Sequence, residues 1–209
     1  DGATWETVTD DIYALHSMLK EQYPNLPQVL MGHSMGSFLA RSYLIRYPST
    51  VEAAILMGTG WQGSLTLTGG LLLCNLLISK GADKPNALIT NLAFGGYNKK
   101  IKNPRTPSDW LSVDEENVDA YIADPLCGGN ASIGLFREML GGMSYIAKPE
   151  NLKKMNLNTP ILFISGGMDP VGDSGKGVMR AYESFRKAGV RDIAVKLYPD
   201  LRHEILCET

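Results

Sequence analysis

Apolar and polar positions alternate with two different periods along this chain. Residues 4 to 23, TWETVTDDIYALHSMLKEQY, place Val8, Ile12, Leu15 and Leu19 on one face at helical spacing, and Pro24 closes the segment. PQVLM, residues 27 to 31, is a short apolar run between turn signals and predicts a buried strand. Ser37 to Tyr47 predict a helix stopped by Pro48, and VEAAILMG, residues 51 to 58, a second buried strand. Regularity then lapses from Trp61 to Asn158, where Gly pairs at 69–70, 95–96, 128–129 and 141–142 interrupt short helical patches such as VDEENVDAYIAD and ASIGLFREML. It returns after Pro160: ILFIS predicts a strand, GKGVMRAYESFRKAG a helix ending at Gly189, and DIAVKLYP a strand. The tail LRHEILCET starts a helical pattern and stops.

Apolar strands alternating with helices predict an α/β fold, with a mostly parallel sheet and helices on both faces. Residues 61–158 read as an insertion carried on that sheet, between core segments 1–60 and 159–209. Four core strands make a small sheet. The chain also begins and ends abruptly in helical patterns, so a fragment of a longer protein is expected.

Composition removes several classes of function. The net charge is −2, which leaves no electrostatic footprint for nucleic acid. The run Leu71 to Ile78 is apolar apart from Asn75. At eight residues it is far shorter than the roughly 20 a spanning helix needs, so it predicts a core or interfacial helix. Cys74, Cys127 and Cys207 are odd in number, widely separated and without metal-ligand spacing. Together with the lack of a signal-peptide pattern, this predicts a cytoplasmic protein without a disulfide framework or a zinc site.

Gly32-His33-Ser34-Met35-Gly36 fits the G-x-S-x-G pattern at the point where a strand is predicted to become a helix. That is the context in which a tight turn exposes a serine hydroxyl as a nucleophile. A serine needs a base, and the chain has three histidines. His16 lies mid-helix. His33 adjoins the serine, and its side chain is expected to point away from the hydroxyl. His203 follows the last strand at the carboxyl edge of the sheet, where parallel sheets place their sites, and is the expected base. In SGGMDPVGD both Asp169 and Asp173 could orient it. Asp169 is nearer the strand end, whereas Asp173 suits a cap on the next helix. The backbone N–H of Met35 is the expected oxyanion donor. The second donor normally comes from a loop after an earlier strand, which this sequence lacks. PVGDSGKG resembles a phosphate loop but has Pro170 and Gly177 where Gly and Ser or Thr are required, so nucleotide binding is not expected.

GHSMGSFLARSYLIRYP, the strand with GMDPVGD, and LYPDLRHEIL together resemble the α/β-hydrolase superfamily. They look most like its monoacylglycerol lipase and lysophospholipase branch, which includes serine aminopeptidase-like hydrolases. The resemblance implies a partial α/β-hydrolase fold, a Ser34–Asp169–His203 esterase mechanism without a cofactor, and a cap formed by residues 61–158. Substrate choice would then lie in the cap. Its apolar stretches, Leu71 to Ile78 and Leu135 to Leu140, either line an acyl-chain channel or pack the cap's own core. Arg105, Asp109 and Trp110 are polar and aromatic candidates for the mouth. A lipid monoester is the favoured substrate, with transient membrane-surface contact through the cap. A peptide or amide substrate, or a non-catalytic role, is the alternative.

Overall fold

The computed structural model describes residues 3–208. Four strands, β1 (Val29–His33), β2 (Ala53–Met57), β3 (Ile161–Gly166) and β4 (Ile193–Tyr198), form one sheet in the order β1-β2-β3-β4. Every pair is parallel, with Met31 opposite Ile55, Leu56 opposite Phe163, and Phe163 opposite Val195. The α/β class is as expected, with β1 set two residues later than the apolar run alone placed it.

Helices α1 (Trp5–Gln22), α2 (Met35–Arg46) and α8 (Lys176–Ala188) flank the sheet. A box at Thr4 caps α1, the Thr4 side chain accepting from the Thr7 N–H and the Thr7 side chain from that of Thr4. The apolar face of α1 is buried mainly in its first half. Trp5 and Thr9 are buried and Val8 and Ile12 lie on the core, whereas Leu15 and Leu19 on the same face are exposed. In the core, Phe38 and Tyr43 of α2 and Val178, Ala181 and Phe185 of α8 meet Leu56 and Phe163 of the sheet. Arg41 of α2 lies 5.8 Å from the Phe185 ring of α8, so these two helices share one face. On the opposite face Val29 and Met31 of β1 are exposed. Helices on both faces were expected; among the described residues α2 and α8 gather on one.

Between β2 and β3 the chain forms α3 (Ser64–Leu77), α4 (Ala87–Phe94), α5 (Glu115–Ala123), α6 (Ile133–Ala147) and α7 (Pro149–Leu152). This region is more helical than its glycines suggested, because two of the Gly pairs are packing devices inside helices. A Cβ on Gly70 would lie 2.9 Å from Leu140 Cδ1, where α3 meets α6. One on Gly142 would lie 2.1 Å from Trp5 Cε2, where α1 crosses α6. Trp5 completes that crossing by donating from Nε1 to Ser42 Oγ at 2.8 Å. α4, capped by the Asn86 side chain, has no counterpart in the sequence reading. The tail after β4 forms turns rather than the start of a helix. Among the described residues no helix is long and apolar enough to cross a membrane.

Candidate active site

β1 hands over to α2 through one residue, Ser34, with φ 53 and ψ −122. A side chain rarely tolerates this backbone conformation, and it persists only where the surroundings enforce it. Here the Ser34 N–H donates to the Met57 carbonyl at 3.0 Å, and the Ser37 hydroxyl to the Ser34 carbonyl at 2.6 Å. The helix starts at Met35, two residues earlier than expected, so its positive end abuts the serine. The two glycines of the motif do different things. A Cβ on Gly32 would sit 2.2 Å from the Gly36 carbonyl oxygen, whereas one on Gly36 meets open space. Gly32 therefore sets the strand–helix distance. Among the described residues no acceptor takes the Met35 N–H, as expected for the first turn of a helix. No strand precedes β1 among these residues, so the loop expected to supply a second donor is not in view.

The acid turn and the histidine loop are packed backbone to backbone. Gly166 and Gly167 end β3, and a Cβ on Gly166 would lie 1.9 Å from the Arg202 carbonyl oxygen. The Gly167 N–H donates to Tyr198 at 2.7 Å and the Met168 N–H to Leu201 at 3.0 Å. This brings the fully buried Asp169 to His203, whose Nδ1 lies 2.9 Å from Oδ2. Ser165 Oγ donates to Oδ2 at 3.3 Å, and the Val171 N–H to Oδ1 at 2.8 Å. A carboxylate only accepts, so the ring donates from Nδ1 and its neutral form has a lone pair at Nε2. His203 is 2% exposed, and its Nε2 has no hydrogen-bond partner among the described residues, the Ser34 hydroxyl included. Asp173 does not approach this pair. Its carboxylate meets Lys100 Nζ at 3.5 Å, and it caps no helix with its side chain, because the residue that starts α8 is Gly175.

His33 lies beside the pair. Its Nε2 donates to the His203 carbonyl at 3.2 Å, and the two rings are 4.6 Å apart. Burial, and then the charge of His203, lower its pKa from the ordinary imidazole value. His16 lies on α1, edge-on to Tyr43.

Ser34 and Met35 open into a cavity of about 390 Å³ walled by Leu73 and Cys74 of α3, Phe94 of α4, and Phe136 and Met139 of α6. The two apolar stretches wall this cavity and pack against one another at the same time. α3 and α6 line the cavity and also pack Cys74, Ile133 and Phe136 into a small core. Of the three mouth candidates, Trp110 lines the cavity and its ring lies 5.2 Å from that of His203. Asp109 turns inward to accept from the Arg105 and Thr106 N–H groups and the Thr106 hydroxyl. Arg105 pairs outward with Asp119 and Glu115. Burial, reinforced by the charge of Asp169, pushes the Tyr97 phenol in the cavity wall up to about 12, so it remains a neutral donor. A larger depression of about 500 Å³, lined by Trp5, Arg46, Asn75 and Glu138, contains neither Ser34, Asp169 nor His203.

Sequence reasoning missed two supports. Gly58, φ +56, follows β2 directly beneath the imidazole of His203. Arg41 is 1% exposed with no carboxylate partner among the described residues, and donates to the Gly60 carbonyl at 3.0 Å. An arginine, the one charged residue of the helix segment FLARSYLI, was the available signal for the second.

A parallel sheet with a strained serine after β1, an aspartate after β3 and a histidine after β4 defines an α/β-hydrolase. Residues 2–209 match the Hydrolase_4 family, serine aminopeptidase S33, and the chain belongs to that family. It is 27% identical over 203 residues to monoacylglycerol lipase from Mycolicibacterium smegmatis, a match spanning 95% of this chain and 63% of that protein. Human monoglyceride lipase is 28% identical over 94% of this chain and 57% of its own length. The chain thus spans about three fifths of these relatives. A carboxyl esterase from Bacillus coagulans, solved with glycerol, superposes with a TM-score of 0.90 at 30% identity, over 99% of this chain and 67% of that one.

Proposed function

We propose that the protein hydrolyses carboxylic esters, with lipid monoesters as substrates, through an acyl-enzyme on Ser34. The observation that carries this reading is the buried imidazole of His203. It is tied to Asp169 at Nδ1 and left unpaired at Nε2, and Trp110, which meets its ring, lines the same cavity as Ser34, a serine held in a strained turn. A buried nitrogen without a partner costs free energy, and a serine proton delivered during reaction supplies the missing contact. Ser34 Oγ attacks the ester carbonyl carbon as its proton passes to Nε2. The Met35 N–H receives the developing oxyanion. The protonated imidazole, stabilised by Asp169, returns the proton to the leaving alcohol, and water repeats the cycle on the acyl-enzyme. No cofactor enters this chemistry.

The lipid-monoester reading draws support from the apolar cavity and from the monoacylglycerol lipases among the relatives. Residues 61–158 act as the cap. Leu72 and Leu76 of α3 and Leu88 and Leu92 of α4 are exposed and suit contact with a lipid surface.

The test is labelling of the full-length protein with a fluorophosphonate, followed by turnover of monoacylglycerols. Ser34→Ala should abolish both, and undiminished ester hydrolysis in Ser34→Ala sinks the reading. The family description favours one rival, a peptidase on the same residues. Turnover of amino-acid anilides faster than of matched esters would establish it.

A further inference from the structure

The loop that carries His203 is held less by the sheet than by one turn of the β2–β3 insertion. The N–H groups of His203 and Glu204 both donate to the Leu111 carbonyl, at 2.9 and 2.8 Å. Arg202 Nη1 reaches the carbonyls of Asp109 and Ser112, each at 2.6 Å. Glu208 closes the ring with a single carboxylate. It accepts from the Arg202 N–H at 3.0 Å, the Ser112 hydroxyl at 2.6 Å, the Val113 N–H at 2.9 Å and the Asp114 N–H at 3.2 Å. Asn117 Nδ2 adds a bond to Glu204 Oε2 at 3.0 Å.

The same turn has a second side. Trp110, between the two carbonyls nearest Arg202 and His203, lines the cavity with Ser34 and stacks obliquely on the His203 ring. Cavity wall and base are therefore carried by one piece of backbone. The two bonds to the Leu111 carbonyl are neutral, but those made by Arg202 Nη1 and by Glu208 are charge-assisted, the strong kind.

We propose that Arg202 and Glu208 are positioning residues that strap the 109–114 turn to the histidine loop, setting the place of His203 and of Trp110 together. The inference rests on the Ser34–His203 reading above. The Leu111 carbonyl fixes the backbone of the base itself, and a displacement of about 1 Å in such a group costs on the order of a hundredfold in rate. His203 acts in the chemical step, and a short ester needs little of the Trp110 wall, so with such a substrate a loosened turn lowers kcat more than it changes KM.

The experiment compares wild type, Arg202→Met, Arg202→Lys and Glu208→Gln in the full-length protein, with a short water-soluble ester. Rates are normalised to the concentration of active sites found by fluorophosphonate titration. Arg202→Met and Glu208→Gln should lower kcat at least about tenfold with KM within about twofold, and slow Ser34 labelling by the same factor. Arg202→Lys keeps a cation that can reach both carbonyls and should recover most of kcat. Purely structural residues would change the folded fraction and leave the normalised kcat alone, and that result overturns the proposal. Should Glu208→Gln fail to fold, Ser112→Ala removes one Glu208 bond and should lower kcat a few-fold at constant KM; an unchanged kcat there also overturns it. Wild-type protein that does not label at Ser34 defeats the parent reading and this one together, whereas normal labelling in every variant defeats this one alone.

Discussion

Gly58 and His203 meet face to face: a Cβ on Gly58 would lie 3.0 Å from His203 Cε1 and 3.2 Å from Nδ1. The same atom would lie 3.1 Å from His33 Cδ2. Gly58 also holds φ at +56, where a side chain is strained. Gly58→Ala should therefore push the imidazole away from its place between Asp169 and the cavity. We expect kcat to fall about tenfold or more, and stability by about 1–2 kcal/mol. Steady-state kinetics and a denaturant titration read the two effects separately, and an alanine variant with wild-type kcat would show that the imidazole can yield without cost.

Ser34, the proposed nucleophile, sits in a strained turn. At φ 53 and ψ −122 its backbone suits glycine better than serine. Ser34→Gly and Ser34→Ala should both be inactive, but only the glycine variant relieves the backbone. It should be more stable than the alanine variant by about 1 kcal/mol, after the entropy glycine brings to the unfolded chain is deducted. Thermal melts of the two variants side by side decide this. Equal melting temperatures would mean that the turn stores no strain at this residue.

The candidate site was legible where it is written locally. G-x-S-x-G between an apolar run and a helical run, an Asp just after one strand and a His just after another are short-range signals, and Asp169 and His203 meet as those positions implied. What was not legible acts across long sequence distances. Gly58, Arg41, Arg202 and Glu208 matter because of what folding brings beside them, and no local pattern marks them. The Gly pairs of the insertion misled for the same reason. Gly70 and Gly142 break helical propensity locally, yet lie inside helices because Leu140 and Trp5 need the space. Leu15 and Leu19 show the converse, an apolar helical face whose second half is left exposed. The carboxylate partner of the histidine was ambiguous between Asp169 and Asp173, and tertiary contact separates them: Asp169 meets His203, and Asp173 is drawn to Lys100.

His33 makes the fold sensitive to acid. Burial first, and the His203 charge second, hold its pKa below the ordinary value of 6.5. The unfolded chain therefore takes up a proton at a pH where folded His33 refuses it. Its contribution to stability is fully present above about pH 6.5 and is lost as the pH falls below that value towards the folded pKa. His33→Gln keeps a donor for the His203 carbonyl but cannot titrate. It should lose less stability than wild type between about pH 7 and about pH 5, read as the shift in urea midpoint. Parallel losses in the two proteins would remove His33 from the account.

On the proposed reading, the cavity beside Ser34 sets which acyl chains fit. Ala93 and Ala131 contribute small side chains to its wall, among Ile89, Leu92, Phe94 and Phe136. Enlarging either one takes space from the cavity and leaves Ser34, Asp169 and His203 themselves unchanged. A pocket discriminates by about 1–3 kcal/mol per methylene it can or cannot hold. Ala93→Phe should therefore lower kcat/KM for long-chain monoesters by about tenfold or more, with short-chain esters changed by no more than about threefold. Measuring kcat/KM across a series of acyl lengths separates this from general damage, which would lower every member alike. A uniform loss, or none, would mean that substrate chains leave the serine by another route and that α3, α4 and α6 serve packing alone.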